Sequence, residues 1–188
     1  MRWLMLAVLL GFAVLVPGPG LAGEVRHLEI GRQEGAYWVR FEAVVGLAPD
    51  RVFALLTDYD RLERLHPGIV AAERLSGQGG GQRVRTVVEA CVAVFCRQLE
   101  RLEAVRHSDK RLIRADLVPE GSDFRAGNSR WELAAVGQGT RIRFRSRMVP
   151  DFWVPPVVGP WAIEQELANH LRGLVRRLER LAAGGSEE

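Results

Sequence analysis

Between residues 69 and 148 the apolar side chains recur at every second position, in successive segments separated by short turns. Alternation of this period predicts β-strands, and one apolar face opposite one polar face is typical of an antiparallel sheet. Residues 140–148 show the cleanest alternation, with Ile142, Phe144 and Met148 on one side and arginines on the other. A sheet built this way needs another element to cover its apolar face.

The C-terminal part of the sequence predicts that covering element. Residues 161–182 form a long amphipathic helix whose apolar stripe follows helical spacing. The stripe consists of Ile163, Leu167, Leu171, Leu174, Leu178 and Leu181.

The part of the chain before residue 69 contains strands and two short helices. Residues 36–45 alternate as a strand, and residues 24–30 predict a shorter one before it. Pro49 and Asp50 then begin a short helix, and Asp58 or Asp60 begins a second one that ends at Pro67 and Gly68. The predicted class is therefore α+β: a curved antiparallel sheet of six to seven strands wraps around the long C-terminal helix, and two short helices follow the first main strand.

The first 22 residues have the layout of a secretory signal peptide. Arg2 precedes an apolar run over residues 4–16, and small residues up to Ala22 provide a cleavage site. An uncleaved N-terminal membrane anchor is the alternative, although the run is shorter than the roughly 20 residues that span a bilayer. We therefore expect an exported, periplasmic protein whose residues 23–188 form one domain.

The charge of the sequence does not favour a nucleic-acid partner. The formal net charge is +3, and nucleic-acid binding would call for a concentrated basic patch. The four histidines are scattered and form no cluster with metal-ligand spacing, so we predict neither a metal site nor a cofactor.

Three short stretches of the sequence resemble a known family. They are residues 48–59, with the sequence APDRVFALLTDY, together with His66-Pro67-Gly68-Ile69, and the link Phe152-Trp153-Val154-Pro155-Pro156 before the final helix. With the element order, they resemble the START-like (SRPBCC) superfamily, and within it the polyketide cyclase/dehydrase and coenzyme-Q-binding START-domain families. The resemblance implies a helix-grip fold with a deep hydrophobic cavity that binds lipids, quinones, sterols or polyketides; a minority of members are cyclases.

The same cavity follows from the elements themselves. Six or seven strands offer more inner surface than one helix covers, so a space lined mainly by apolar side chains should remain for a hydrophobic small molecule or lipid. The residues that we expect to line the cavity or its entrance are Phe41, Phe53, Tyr59, His66, Thr86, Val88, Trp131, Phe144, Trp153, Trp161, Leu167 and Leu171.

Cys91 and Cys96 lie close enough in sequence to face each other across a hairpin. In an oxidising compartment such a pair forms a disulfide, and two buried thiols are the alternative in a reducing one. The spacing is not that of a redox-catalytic C-x-x-C motif.

Three other features have two interpretations each. Arg141, Arg143, Arg145 and Arg147 form either an anion-binding strip or a solvated strand face paired with glutamates such as Glu132. Arg172, Arg176, Arg177 and Arg180 either complement the helix dipole or attract anionic lipid head groups. Phe152, Trp153 and Trp161 form either a packed corner or an edge that makes transient contact with a membrane surface.

The sequence identifies no catalytic residues. Asp58, Tyr59, Asp60 and His66 include groups able to act as an acid or base, but the aspartates serve equally well as caps. We therefore expect a non-enzymatic binding or carrier protein. A cyclase or hydrolase that uses the same cavity is the alternative, and a module whose interior is filled by its own side chains is the third hypothesis.

Overall fold

The computed structural model describes residues 23–76, 82–92, 95–154 and 159–183. The predicted signal peptide of residues 1–22 lies outside these residues, as do Pro155 and Pro156 of the link before the final helix. Within the described residues, no helix has the length and apolar character needed to cross a membrane.

One antiparallel sheet of eight strands forms the body of the described chain. The strands are β1 (Glu24–Gln33), β2 (Ala36–Val45), β3 (Ile69–Ser76), β4 (Gln82–Val92), β5 (Phe95–Ser108), β6 (Leu112–Leu117), β7 (Phe124–Val136) and β8 (Gly139–Pro150). Their spatial order is β1-β2-β8-β7-β6-β5-β4-β3, so the last strand pairs with the second and the remaining neighbours are sequential hairpins. The predicted α+β helix-grip architecture is confirmed.

The sheet has one strand more than the upper limit of six to seven that the sequence predicted. The edge strand β1 was predicted at residues 24–30 and extends to Gln33, and it pairs with β2 along its length through a tight turn at Glu34 and Gly35. Both turn residues have positive φ, 51° and 79°, as a two-residue hairpin turn requires. Residues Val25, Leu28 and Ile30 of β1 pack against the core, which gives this mostly polar strand a buried side.

The predicted helices are present with small differences. Helix α1 (Pro49–Leu56) begins with Pro49 and Asp50, as expected from their preference for the first turn. The second short helix is a 3₁₀ helix at Tyr59–Arg64, and Asp58 makes no side-chain cap there. Asp58 instead pairs with Arg61 at 2.9 Å. The long helix α2 (Gly159–Ala183) covers the inner face of the sheet.

The interior is packed at one end of α2 and open at the other. Leu178, in the second half of α2, is fully buried with Val45 and Ile142 of the sheet and Val52 of α1. The first half of α2 contributes Leu167 and other residues to the wall of a cavity instead. The sheet therefore grips the C-terminal half of the helix and leaves space beside the N-terminal half.

Candidate functional site

A cavity of about 350 Å³ lies between the inner face of the sheet and the first half of α2. This volume falls in the range of about 300–1,000 Å³ typical of ligand pockets. Its walls are mostly apolar and come from strands β2 to β8, from the 3₁₀ segment and from α2. Residues on β4 to β8 that contribute apolar surface include Val84, Leu99, Val105, Ile113, Ala115 and Met148.

Eight of the twelve residues that the sequence proposed for the cavity lie in its wall. They are Tyr59, His66, Thr86, Val88, Trp131, Phe144, Leu167 and Leu171. Trp131 and Phe144 face each other on neighbouring strands, with ring centroids 4.1 Å apart, and form a continuous aromatic surface in the wall. Their role in holding a ligand stays a prediction.

The other four proposed residues lie elsewhere. Phe41 is buried in the packed core, because its position on β2 is nearer the gripped end of the helix. Phe53 packs edge-on against His107, with ring centroids 5.3 Å apart, and its ring does not line the cavity. Trp153 and Trp161 are 78% and 63% exposed. Their chain neighbours Phe152 and Ala162 do line the cavity, which places both tryptophans at its mouth.

An ion pair inside the cavity was missed by the sequence reasoning. Arg101 and Glu103 project from β5 into the cavity wall, and Arg101 Nε lies 3.0 Å from Glu103 Oε2. Only 9% of the Glu103 side chain and 32% of the Arg101 side chain are exposed. Among the described residues, Glu103 Oε1 has no hydrogen-bond partner, and the Arg101 Nε–H bond is not aimed closely enough at the carboxylate to count as a hydrogen bond.

The sequence did carry a signal for this pair. Arg101 and Glu103 occupy the same parity on β5 as the buried Leu99 and Val105. Two charged residues at consecutive inward positions of a strand are costly unless they are paired or meet a polar group. The pair therefore gives a mostly apolar cavity a donor and an acceptor with unused capacity.

Two tyrosines add further polar atoms at the same wall. The hydroxyl of Tyr59 lies 2.7 Å from Nε2 of His107, in hydrogen-bond contact. Burial, with a contribution from the Glu103 carboxylate, raises the pKa of Tyr59, so the hydroxyl stays protonated. Tyr37 is also buried in the cavity wall, and its hydroxyl has no partner among the described residues. The Tyr59 hydroxyl is thus already partnered by His107, whereas the Tyr37 hydroxyl is placed to hydrogen-bond a polar atom of a guest.

A histidine pair joins the loop before β3 to helix α2. The rings of His66 and His170 lie 3.9 Å apart, and His170 Nε2 lies 2.8 Å from Glu166 Oε1. Gly68 fits closely here, because a Cβ at this position would lie 3.0 Å from His66 and 3.2 Å from the Glu89 carbonyl oxygen. The glycine thus lets the loop approach β4 and α2 together.

The histidines of this corner are held neutral. Burial, reinforced by the neighbouring His170 and Arg101, lowers the pKa of His66 to about 3. Burial also lowers the pKa of His170, while Glu166 opposes this effect. Both rings line the cavity. Nδ1 of His66 already accepts the backbone N–H of Gly68 at 3.1 Å, so the neutral ring offers its Nε2–H as a hydrogen-bond donor to a bound molecule.

Cys91 and Cys96 form the disulfide that the sequence predicted, with their Cα atoms 4.0 Å apart on the paired strands β4 and β5. Cys91 lies in the cavity wall. Glu89 joins the two cysteines in a group whose potential metal-ligand atoms are within 4.8 Å of one another. The disulfide removes both thiolates that a metal would need, so the group does not fit a metal site.

Comparison with known proteins identifies one matching family and several similar structures. The sequence profile of the family described as polyketide cyclase/dehydrase and lipid transport matches residues 39–179. No curated protein sequence matches the chain significantly.

Three of the similar solved structures illustrate the match. The protein TTHA0849 from Thermus thermophilus is 25% identical with a TM-score of 0.59, covering 78% of this chain and 99% of that one. The ZhuI aromatase/cyclase from Streptomyces sp. R1128 is 15% identical with a TM-score of 0.61, covering 81% and 99%. A START superfamily protein from Mycobacterium smegmatis is 18% identical with a TM-score of 0.62, covering 79% and 99%. The last two likenesses show the fold alone.

Proposed function

Because the chain belongs to the polyketide cyclase/dehydrase and lipid transport family, we propose that it binds or carries a hydrophobic small molecule or lipid in its cavity. Membership also agrees with the START-like resemblance of residues 48–59. The observation that carries the proposal is the cavity of about 350 Å³ with mostly apolar walls. A guest that fills it gains free energy from burying apolar surface, at roughly 25 cal/mol per Å².

The guest should combine an apolar body with one polar group. The unpartnered Glu103 Oε1 accepts a hydrogen bond, and the Arg101 guanidinium donates one. A hydroxyl, which does both, would satisfy atoms that the protein leaves unpaired, whereas a carboxylate has no proton to donate to Glu103 Oε1. A pure hydrocarbon would fill the same space and leave those atoms unsatisfied, which costs affinity.

The proposal also covers the mouth of the cavity and the location of the protein in the cell. Amphipathic aromatic side chains favour the boundary between water and lipid, and the exposure of Trp153 and Trp161 supports transient contact of the mouth with a membrane surface. An exported, periplasmic location is supported by the disulfide, since such bonds persist in oxidising compartments. The mass of the protein recovered from the periplasm tests whether cleavage occurs near Ala22.

The experiment that tests binding has two parts. Mass spectrometry of lipids extracted from the purified, folded protein should identify a co-purifying guest. An apolar fluorescent probe should bind, and lipids with a single polar group should displace it. A protein that carries no guest and binds no apolar probe would refute the proposal.

A matched pair of variants tests whether the probe binds inside the cavity. Ser129 lies in the cavity wall on β7, and Ala126 is exposed on the same strand. The variant Ser129→Phe should fill the space and abolish probe binding. The matched variant Ala126→Phe adds the same ring to the surface and should bind the probe like the parent protein.

An enzyme of cyclase or hydrolase type is the second candidate. Perturbed titratable groups face the cavity, notably His66, whose pKa is lowered to about 3, and the buried Tyr59. Shifted groups in a cleft are typical of catalytic sites, although structural networks shift them too. Turnover of an extracted guest by the parent protein, lost in His66→Gln while binding persists, would favour the enzyme over the carrier.

A further inference from the structure

A row of arginines crosses the outer face of the sheet, one on each of five neighbouring strands. Arg40 on β2 is directly opposite Arg145 on β8, and Arg145 is opposite Arg130 on β7. Arg130 is opposite Arg114 on β6, which is opposite Arg106 on β5. These five residues are called the arginine row. Neighbouring strands are about 4.8 Å apart, so the row extends roughly 20 Å across the sheet.

The row lies on the side of the sheet away from the cavity. Its members alternate along their strands with cavity residues such as Phe144, Trp131 and Ile113, and successive side chains of a strand point to opposite faces. The side chains of Arg40 and Arg106 are 65% and 72% exposed.

Such an arrangement has a cost in folding stability. Like charges directly opposite each other on neighbouring strands are destabilising. Carboxylates at three positions relieve part of it: Glu29 pairs with Arg40, Glu132 with Arg130, and Asp116 with Arg106. Among the described residues, no carboxylate lies within 4.0 Å of the two remaining members, Arg114 and Arg145.

The residues beside the row reinforce its charge on one strand. Arg143 and Arg147 project from the same face of β8, on either side of Arg145. Arg143 is paired with Glu42 at 2.7 Å, which agrees with the solvated-face interpretation for that residue. The interpretation does not extend to Arg145, whose cross-strand neighbours are both arginines. Positive charge is thus concentrated on this face, although the whole sequence has a net charge of only +3.

We propose that the arginine row is a docking surface for the phosphate head groups of an anionic lipid bilayer. The inference rests on the proposed function, because a carrier of apolar cargo has to meet the membranes that hold it. Guanidinium groups bind phosphate oxygens with paired hydrogen bonds. β8 carries Arg145 and Arg147 outward and Met148 and Pro150 into the cavity wall, so docking on this face brings the mouth end of the sheet beside the membrane.

The shape of the surface favours a bilayer over a single-stranded nucleic acid. Proteins that bind such strands combine a basic groove with free aromatic rings on which bases stack. The arginine row lies on the outer side of a sheet that curls around a helix, and the adjacent Trp38 ring is occupied by Arg40, whose guanidinium carbon lies 5.2 Å from the ring centroid. A bilayer supplies mobile head groups and needs neither feature.

The test compares two double variants with the same change in charge. Arg114→Glu with Arg145→Glu alters the row, and Arg172→Glu with Arg176→Glu alters exposed arginines of α2. Sedimentation with vesicles is measured for pure phosphatidylcholine and for mixtures with phosphatidylglycerol. The parent protein should bind the anionic vesicles in a salt-sensitive manner. The row variant should bind at least about 30-fold more weakly, since each of the two arginines lost near such a surface accounts for about fivefold, and the helix variant should bind like the parent.

Two further measurements keep the result interpretable. Thermal unfolding of the row variant should occur at the parental temperature or above it, because the change removes like-charge pairs from the sheet. Probe binding in the cavity should be unchanged, since neither Arg114 nor Arg145 lines it. Failure of probe binding in the parent would contradict the proposed function, separately from this inference.

Several results would overturn the proposal. Equal binding to neutral and anionic vesicles, absence of vesicle binding in the parent, or equal loss in both variants would show that the row is not the docking surface. Loss confined to the helix variant would assign the surface to α2. Binding of a single-stranded oligonucleotide in place of vesicles, lost in the row variant, would assign the row to nucleic acid.

Discussion

Arg101 and Glu103 form an ion pair in the cavity wall, and their side chains are exposed to different extents. We predict that Arg101→Met destabilises the fold more than Glu103→Leu does, and that the double variant costs less than either. Breaking a buried ion pair by removing one partner typically costs about 3–5 kcal/mol, because the other charge is left buried. The cost depends on which charge remains and on how much water it reaches.

The exposures set the expected magnitudes. After Arg101→Met, the remaining Glu103 side chain is only 9% exposed, so we expect a loss of about 3 kcal/mol. After Glu103→Leu, the remaining Arg101 side chain is 32% exposed and partly solvated, so we expect about 2 kcal/mol. Apolar residues that replace a whole buried pair are often neutral or stabilising, so the double variant should lie within about 1 kcal/mol of the parent.

Urea unfolding of the four proteins, followed by circular dichroism, measures these differences, and the double-mutant cycle isolates the coupling of the pair. Equal losses in the single variants, or a double variant whose loss is the sum of theirs, would refute the reasoning. The double variant also tests the polar group expected in the guest. It should keep its affinity for a hydrocarbon probe and lose affinity for an alcohol of similar length, and unchanged affinity for both would contradict that expectation.

Three other predictions concern stability. Burial lowers the folded-state pKa of His66 to about 3, so the folded protein favours the neutral ring. The stability that depends on neutral His66 should therefore be lost as the pH falls below about 6.5 toward 3. Urea unfolding at a series of pH values should show a shallower decline for His66→Gln than for the parent. Reducing the Cys91–Cys96 bond, which closes a loop with a sequence separation of 5, should cost about 2 kcal/mol in the chain-entropy model, and a Cys91→Ser, Cys96→Ser variant should be insensitive to reductant. Leu178→Ala, at a fully buried position, should lower the unfolding free energy by about 3 kcal/mol, whereas the loss from Val136→Ala, at an exposed position, should be under about 1 kcal/mol.

Local patterns predicted the elements well where alternation and turn residues agreed. The strand at Ala36–Val45 has the predicted bounds, because its aromatic and β-branched residues alternate with other residues between glycine-containing turns. The strand Glu24–Gln33 was predicted to end at Ile30, since only three apolar residues mark its buried side and Ile30 is the last of them.

The site was less predictable because it depends on contacts between distant segments. His66 and His170 belong to a loop and a helix that meet only in the folded protein. Phe53 turns to His107, on a strand whose position relative to α1 no local pattern specifies. Arg101 and Glu103 break the rule that inward strand positions are apolar, and the register needed to recognise that exception comes from the neighbouring strands.

The pairing of β2 with β8 has a consequence for synthesis and folding. The two strands are joined side by side although their residues, such as Glu42 and Arg143, are 101 positions apart. Non-local pairing of this kind slows folding, because the entropy of closing the long loop is lost before the contact forms. A nascent chain that ends before β8 cannot complete the middle of its sheet, and it presents the apolar face of β2 unprotected until nearly all of the polypeptide has emerged. Such delayed folding is compatible with the export that we propose, because a chain that crosses a membrane has to remain unfolded on the way.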